Sequence, residues 1–515
     1  MVYLTSENII FISSILIFCS ILVSRASSKM GIPALLLFLM LGMLFGSDGL
    51  GIVFNDMKSA NFIGVVALCI ILFTGGMETN FKDIKPMLGP GLALSTVGVL
   101  LTAGLTGGFI YLLNGWKAVG LGLPIISCLL LGATMSSTDS ATVFALLRGK
   151  NLRLKHNLQP VLELESGSND PMAYIITIVL IEIASSIASG EGLMATEGAE
   201  EMAKAAGFAS VESFTTYNTV WNAIKVFMLQ FIVGGAVGVG IGFASVWLLN
   251  RVKLNNTPLY AVMLLSIVFF AYSIAGMLSG NGYLAVYLAG IITGNSKFNH
   301  RKQILSFLDG LTWLMQIGMF LILGLLVNPL QMLKTAPIAL LIGIFMMFFA
   351  RPTAVYATLL PFRSINLRSK AFTSWVGLKG ASPIIFATYP ILHGIEGGEI
   401  IFNIVFFITL MSLIIQGSTL PMTAKILKVN DETPLPKKEF DVDLPETAGD
   451  LTESTITEEM IRQMQEGSGV QLKDQNLPEG MRVLMIKRDG KFIIPTGNTE
   501  LCAGDHLLII NGVAE

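Results

Sequence analysis

A series of long apolar stretches, recurring from residue 7 to residue 427, constrains this chain more than any other feature of its sequence. A helix needs about 20 apolar residues to cross the hydrocarbon core of a bilayer. The stretches are close to that length or longer, which predicts an all-α polytopic membrane protein. We predict thirteen transmembrane helices at 7–27, 32–47, 60–80, 87–113, 119–147, 157–188, 219–249, 257–278, 281–296, 304–327, 336–360, 368–393 and 399–427.

The low charge content argues against a soluble protein. Only 13% of the 515 residues are charged, whereas soluble domains average about 25%. A chain with this balance cannot hide its apolar side chains in one aqueous core. The net charge of −2 offers no basic surface for a polyanion, so we predict no nucleic-acid partner. The four cysteines form no C-x-x-C pair, which argues against a disulfide framework or a zinc site.

The distribution of charge separates the end of the chain from the rest. Residues 1–428 contain 25 Lys and Arg and 18 Asp and Glu, whereas residues 429–515 contain 8 and 17. We therefore predict a transmembrane domain at 1–428, a linker at 429–450 and a small β-rich (α+β) cytoplasmic domain at 451–515. In this last domain we predict a helix at 452–466 and strands at 470–473, 481–487, 491–495 and 506–511.

The positively charged loops predict the orientation in the membrane. If the N-terminus is outside, eighteen Lys and Arg fall in inside loops and five fall in outside loops. An excess of Lys and Arg marks the cytoplasmic side. We therefore predict an external N-terminus and a cytoplasmic C-terminal domain.

Two of the predicted helices are interrupted at corresponding places. The long polar loop at 189–217 divides the spans into two groups, and the interruptions fall at Gly132–Asp139 and at Gly377–Pro383. Freed backbone groups inside a membrane are tolerated where they line a cavity. This arrangement is typical of transporters built from two inverted repeats with two interrupted, crossing helices and a midplane site.

Ionisable side chains inside the spans indicate where that site lies. Each one costs roughly 2.5–3.5 kcal/mol on insertion scales, so each needs a function or a partner. Five carboxylates fall within one short region, and Arg351 and Lys379 are available as compensating charges. The acidic residues are Asp139, Glu163, Glu165, Asp170 and Glu182, with Glu78 at the end of the third span.

The sixth span offers the best cation site. At about 100° per residue, Glu163, Ser166 and Asp170 share one helix face, and Glu165 and Asn169 form a neighbouring stripe. Carboxylate, amide and hydroxyl oxygens suit Na⁺, K⁺ or H⁺ rather than soft metals. Because Asn169 is neutral, the adjacent residues Asn169 and Asp170 offer one carboxylate between them. We predict that Asp170 carries either a proton or a cation, in an electroneutral exchange.

These residues together resemble the monovalent cation/proton antiporter family, in particular its electroneutral NhaP-type branch. The resemblance implies a homodimer and a cation site formed by Asp170, Glu165, Ser166 and the Thr138 backbone. It also implies that Arg351 pairs with an acid of the third helix, matched here by Glu78. The motifs that carry the resemblance are Thr138-Asp139, Glu165-Ser166-x-x-Asn169-Asp170, Arg351-Pro352 and Gly377-Leu378-Lys379-Gly380, where the family more often has Arg in place of Lys379.

The end of the chain resembles the RCK_C (TrkA-C) half of regulators of K⁺ conductance. The similar segments are Met481–Lys487, Asp489-Gly490, Phe492–Leu501 and Gly504–Ile510. The resemblance implies regulation, dimerisation and binding of a nucleotide such as cyclic di-AMP; the alternative is a domain that only holds a dimer together. No G-x-G-x-x-G unit precedes the segment, which argues against NAD.

The sequence therefore predicts a K⁺/H⁺ antiporter, with Na⁺ as the alternative cation, that works by alternating access in the plasma membrane without a cofactor. Potassium efflux, sodium tolerance and pH homeostasis all fit this chemistry. Two alternatives stay open, namely a gated cation channel controlled by the C-terminal domain and an intramembrane aspartyl hydrolase that uses Asp139 and Asp170.

Overall fold

A computed structural model of the chain describes residues 6–30, 33–115, 121–139, 142–143, 153–155, 158–194, 211–431, 450–466, 470–475 and 481–511. These residues belong to two compact units, Met1–Glu432 and Thr433–Glu515, which are described in turn. Most of the predicted linker, at 432–449, lies outside the described residues, as does the centre of the predicted outer loop at 195–210.

The first unit is built from helices, with one pair of two-residue strands, β1 (Arg153–Leu154) and β2 (Asn430–Asp431). Within the described residues, nine helices are long and apolar enough to cross a membrane, and four further apolar helices are shorter. Each predicted span overlaps one of them, although the number of crossings stays a prediction. In chain order the helices are α1 (Ser6–Met30), α2 (Ala34–Phe45), α3 (Met57–Glu78), α4 (Phe81–Asn114), α5 (Ile125–Thr134), α6 (Leu158–Met194), α7 (Val211–Arg251), α8 (Pro258–Met277), α9 (Gly282–Gly294), α10 (Arg301–Leu326), α11 (Pro329–Thr358), α12 (Leu367–Trp375), α13 (Ala381–Leu392) and α14 (Gly398–Ile426).

Both predicted interruptions are present. Helix α5 ends at Thr134, and the chain is not helical from Ser137 to Asp139. Helix α12 ends at Trp375, and helix formation resumes only at Ala381. The two interrupted segments meet where the Asp139 backbone N–H donates to the Leu378 carbonyl oxygen at 2.8 Å. Each segment thus satisfies a backbone group that its own helix has released.

Two helices next to this crossing contain a widened, π-helical turn. The turns lie at Leu94–Gly98 in α4 and at Met346–Ala350 in α11. In α11 the cause is local, because Pro352 has no backbone N–H and its ring would clash with the carbonyl four residues earlier. The widened turn accommodates Pro352, and Arg351 follows the turn directly.

Helices α3 and α9 pack with their backbones in close contact. A Cβ atom placed on Gly290 would lie only 2.4 Å from the Phe73 carbonyl oxygen. Only glycine permits this approach. The contact brings the end of α3, with Glu78, towards the same cavity as α6.

The second unit is a small antiparallel sheet with one helix. Its strands are β3 (Asp450–Thr455), β4 (Met481–Arg488), β5 (Lys491–Ile493) and β6 (His506–Asn511), in the order β3-β6-β4-β5, and its helix is α15 (Glu458–Glu466). The predicted hairpin turn joins β4 to β5, with positive φ angles at Asp489 and Gly490. Ile456, Ile486 and Leu507 form the centre of the apolar core.

Two local predictions in this unit are wrong. The predicted helix at 452–466 begins only at Glu458, because 450–455 pairs with β6 as an edge strand. The predicted strand at 470–473 is a single bridge, Gln471 to Glu500, followed by a short 3₁₀ turn at Leu472–Asp474. In both cases long-range pairing decided the structure, and local pattern cannot show it.

An ion pair joins the partly exposed Arg488, at the end of β4, to the buried Asp505, just before β6. Arg488 Nε and Nη2 each donate to an Asp505 carboxylate oxygen at 2.7 Å, and the Cys502 N–H donates at 2.8 Å. Burial raises the pKa of Asp505, but the hydrogen bonds from Arg488 and Cys502 outweigh it and hold the pKa below its usual range. The carboxylate therefore stabilises the fold above its unfolded-state pKa of about 4 and stops doing so as the pH falls through its folded-state value.

Replacing Asp505 with Asn is expected to destabilise this unit at neutral pH by about 1.5–3 kcal/mol, the range for hydrogen bonds to a charged group. Hydrogen exchange of the β6 amides in the full-length protein measures the effect. The control is Asp489→Asn in the exposed turn, where Asn accepts the positive φ. Equal protection in both variants at neutral pH would contradict the prediction.

Candidate functional site

Asp170 lies where α6 passes the crossing of the interrupted helices. Its side chain is only 7% exposed. Ser137, from the first interrupted segment, donates a hydrogen bond to Asp170 Oδ1. Ser382, at the start of α13, donates to Oδ2 at 2.9 Å. Both interrupted segments thus supply a hydroxyl to one carboxylate, and each hydroxyl can instead turn its lone pairs towards a cation.

Further oxygen atoms lie beside this carboxylate. Ser166 Oγ donates to the Thr138 carbonyl oxygen at 2.9 Å, and Asn169 Nδ2 donates to Thr138 Oγ1. The Asn169 Oδ1 atom is buried and has no hydrogen-bond partner among the described residues. Thr138, Ser166, Asn169 and Asp170 are therefore brought together by the fold. They provide hard oxygen atoms of the kind that alkali cations bind.

The acid that contacts Arg351 is Glu165 and not Glu78, so the pairing implied by the family resemblance is wrong for this structure. Arg351 Nη2 forms an ion pair with Glu165 Oε1. The two residues are 3% and 1% exposed. Glu165 lies one stripe round α6 from Asp170, whereas Glu78 lies at the end of α3 in the cavity wall.

Lys379 binds the backbone of the opposite interrupted segment. Its Nζ atom donates to the Ser137 carbonyl oxygen at 2.8 Å, and its backbone N–H donates to Ser412 Oγ at 3.0 Å. The side chain is 1% exposed. The Lys379 side chain thus satisfies the Ser137 carbonyl oxygen, which lies beyond the end of α5 and has no helical partner.

Asp139 lies at the crossing and accepts hydrogen bonds from Thr142. Its Oδ2 atom accepts a hydrogen bond from Thr142 Oγ1 at 2.7 Å, and its Oδ1 atom accepts from the Thr142 backbone N–H at 3.2 Å. This is the pattern of a residue that caps the start of a helix. A Cβ atom on Gly380 would lie 2.3 Å from Asp139 Oδ2, so the opposite segment needs glycine there.

Gly380→Ala is expected to displace Asp139 and reduce cation-driven proton movement at least ten-fold, because misplaced groups at a preorganised site cost activity steeply. The measurement is the exchange rate in vesicles. The matched control is Gly276→Ala in α8, where a Cβ atom would meet nothing within 4 Å. Equal rates in the two variants would contradict this role of Gly380.

Two residues at the site were missed by sequence reasoning. Ser137 and Ser382 both donate to Asp170. Both residues lie in the interrupted segments, which the sequence does indicate. Helical periodicity cannot show which of several hydroxyl side chains in a non-helical stretch faces Asp170.

A cavity of about 530 Å³ leads to the site from one side. Asp170, Asp139 and Ser382 lie along it together with the acids Glu78 and Glu163. Gln159 donates to Glu163 Oε1 at 2.9 Å. The cavity is large enough for a hydrated alkali cation, and its carboxylates favour cations over anions.

Packed tyrosines lie on the other side of Asp170. Tyr174 follows Asp170 by one helical turn, away from Glu163, and its ring meets those of Tyr283 and Tyr389 at 5.0 and 5.4 Å between centroids. The Tyr283 and Tyr389 hydroxyl groups lie 3.5 Å apart. The site is therefore open towards the cavity and covered by aromatic rings in the opposite direction.

A buried carboxylate at the crossing of two interrupted helices, reached by a cavity from one side, is typical of a secondary transporter of small cations. Such a protein needs no covalent chemistry, only a group that holds its substrates in turn.

Comparison with known proteins identifies the family. The chain matches the family model described as sodium/hydrogen exchanger, transmembrane, over residues 13–426, and the TrkA-C domain over residues 465–511. It therefore belongs to the sodium/hydrogen exchanger family, whose members are cation/proton antiporters. It is accordingly a transporter rather than an enzyme, and the alternative of an aspartyl hydrolase is not retained.

Two named relatives agree with this assignment, and a solved structure shares the fold. The chain is 36% identical over 508 residues to the K(+)/H(+) antiporter NhaP2 of Shewanella baltica (strain OS223), covering 98% of this chain and 81% of that protein. It is also 36% identical over 510 residues to the K(+)/H(+) antiporter NhaP of Alkalimonas amylolytica, with the same coverage. The fold is similar to the sodium proton antiporter MjNhaP1 of Methanocaldococcus jannaschii at pH 8, with a TM-score of 0.65, 22% identity and coverage of 81% of this chain and 98% of that one.

Proposed function

We propose that this chain exchanges K⁺ for H⁺ across the plasma membrane, with Na⁺ as the alternative cation, and so contributes to pH homeostasis. The observation that carries the proposal is the buried Asp170 carboxylate, which accepts hydrogen bonds from both interrupted segments at the end of an open cavity. The choice of K⁺ rests on the relatives, which are named K(+)/H(+) antiporters.

The chemistry is competition for one carboxylate. A proton on Asp170 leaves a neutral acid, and a monovalent cation leaves a neutral ion pair, so both loaded forms carry the same charge. The ligand set proposed for the cation is Asp170, Asn169 Oδ1, Ser166 and the oxygens of Thr138. Glu165 is left out because Arg351 holds its carboxylate. One proton then exchanges for one cation, and the cycle is electroneutral.

Transport requires the loaded carboxylate to become accessible from the other side. The unloaded carboxylate would carry an uncompensated charge into a low-dielectric barrier, which is costly, so only the proton-bound and cation-bound forms cross. The tyrosines Tyr174, Tyr283 and Tyr389 form the barrier that must open. We place the cavity on the cytoplasmic side, since the basic loops predict a cytoplasmic C-terminus, and expect the functional unit to be a homodimer.

The C-terminal domain is proposed to regulate the exchanger. Its TrkA-C match at 465–511 supports this role, and a nucleotide such as cyclic di-AMP is the candidate ligand. A binding titration of the full-length protein with cyclic di-AMP tests this ligand. A titration that shows no binding would exclude cyclic di-AMP.

Proton movement driven by K⁺, Na⁺, Li⁺ and Rb⁺ in proteoliposomes tests the function. We expect proton efflux driven by inward K⁺ gradients, unchanged when a membrane-permeant anion such as thiocyanate collapses the membrane potential. Exchange that follows the potential would contradict electroneutrality. Cation flux without any proton movement would favour the gated channel instead.

A further inference from the structure

The chain that leaves the last transmembrane helix is anchored before it continues towards the C-terminal domain. After α14 ends at Ile426, Lys428 adopts a positive φ of 56°, and the Val429 N–H returns to the Ala424 carbonyl oxygen at 3.1 Å. Val429 is 1% exposed and packs in the main apolar core. The start of the predicted linker is thus part of the transmembrane unit.

The next two linker residues form a short strand that pairs with a segment distant in the chain. Strand β2 (Asn430–Asp431) pairs antiparallel with β1 (Arg153–Leu154), with Leu154 opposite Asn430. The Lys155 N–H donates to the Val429 carbonyl oxygen at 2.8 Å and extends the pairing. Asn430 is buried, so the pair is docked on the protein.

The segment that contains β1 lies between residues of the cation site in the chain. It connects the first interrupted segment, which supplies Ser137 and Thr138, to α6, which supplies Asp170. Leu154 itself lines the cavity that leads to Asp170. The chain on its way to the C-terminal domain is therefore hydrogen-bonded to a residue of the cavity wall.

A pair of two-residue strands can open without unfolding any helix. Its strands have two residues each, which is much shorter than the five or six residues typical of stable sheets. A force that the following chain exerts on Asp431 would act directly on the β1–β2 pair, because Val429 is fixed in the apolar core. Opening would release Leu154 from its place in the cavity wall.

We propose that the β1–β2 pair is the connection through which the C-terminal domain controls access to the cation site. The formed pair keeps Leu154 in the cavity wall, and release of the pair removes Leu154 from the wall and so changes access to Asp170. This inference rests on the proposed exchange function. It assigns a regulatory role to Arg153–Leu154 and Asn430–Asp431. None of these four residues is a proposed cation ligand.

A reversible disulfide tests the connection in the full-length protein. Cα atoms of directly opposed strand residues lie about 4.5–5.5 Å apart, within the range that a disulfide spans. We would introduce Arg153→Cys and Asp431→Cys, which are opposite each other, after replacing Cys19 and Cys502 with Ser. Each single-cysteine variant is the control for oxidation without cross-linking.

The C-terminal domain is then perturbed by Arg488→Gln, which removes the ion pair to Asp505. With the cysteines reduced, we expect Arg488→Gln to change the K⁺ concentration for half-maximal exchange at least three-fold. With the cross-link formed, the same substitution is expected to change it less than 1.5-fold. Reduction of the disulfide should restore the full response.

Three results would overturn the connection. The cross-link could fail to form, Arg488→Gln could act equally in reduced and cross-linked protein, or it could have no effect in either state. Failure of the underlying exchange function looks different, because the unmodified chain would then show no K⁺-driven proton movement at all.

Discussion

Replacing Asp170 with Asn is expected to abolish cation-driven proton movement, lowering the rate at least 100-fold. The amide keeps the size of the side chain but can neither hold a proton for exchange nor neutralise a cation. Ser137 and Ser382 both donate to this carboxylate, so the substitution also removes their charged acceptor. The measurement is the K⁺-induced pH change in proteoliposomes that contain equal amounts of protein.

The control for Asp170→Asn is Glu182→Gln. Glu182 lies on the same helix, α6, and is exposed, so its replacement should leave the rate within about two-fold of the unmodified protein, as usual for a surface position. Exchange that persists in Asp170→Asn, or is lost equally in both variants, would show that Asp170 is not the shared carrier.

Replacing Arg351 with Gln is expected to destabilise the transmembrane unit by about 3–5 kcal/mol, the range for breaking one side of a buried ion pair. The cause is the Glu165 carboxylate, which would be left buried with an uncompensated charge. Thermal unfolding of the protein in detergent measures the effect as a lower Tm.

The double variant Arg351→Met/Glu165→Leu separates a structural role from a binding role. Removing both charges should restore most of the lost stability, because well-packed apolar groups often replace a buried ion pair without loss. We also expect measurable exchange, since Glu165 is not among the proposed ligands. A stable double variant without exchange would place Glu165 back among the cation ligands.

Much of the architecture could be predicted from the sequence. The apolar stretches located the helices, and the Gly-, Ser- and Pro-containing interruptions located the two crossing segments. Residue spacing on α6 placed Ser166 and Asp170 together on one face, because helix geometry is fixed and local. The pattern was less reliable in the C-terminal domain, where pairing with β6 converted 450–455 from predicted helix to strand.

The partners of the charged residues could not be predicted in the same way. Spacing within one helix does not show which acid faces Arg351. The pairing with Glu78 was implied by the family resemblance, whereas in the structure Arg351 contacts Glu165. The donors to Asp170 come from residues 33 and 212 positions away in the chain. Such contacts depend on how the helices cross.

The sequence by itself determined that this protein lies in a membrane and that two of its helices are broken, and it predicts that one acid on α6 beside the breaks is available for a cation. These properties follow from hydrophobicity and from local backbone preferences, which act within a few residues. Only the tertiary structure decided that Glu165 neutralises Arg351, that Ser137 and Ser382 converge on Asp170, and that the linker binds the cavity wall at Leu154. Those contacts join segments far apart in the chain, and packing alone brings them within hydrogen-bonding distance.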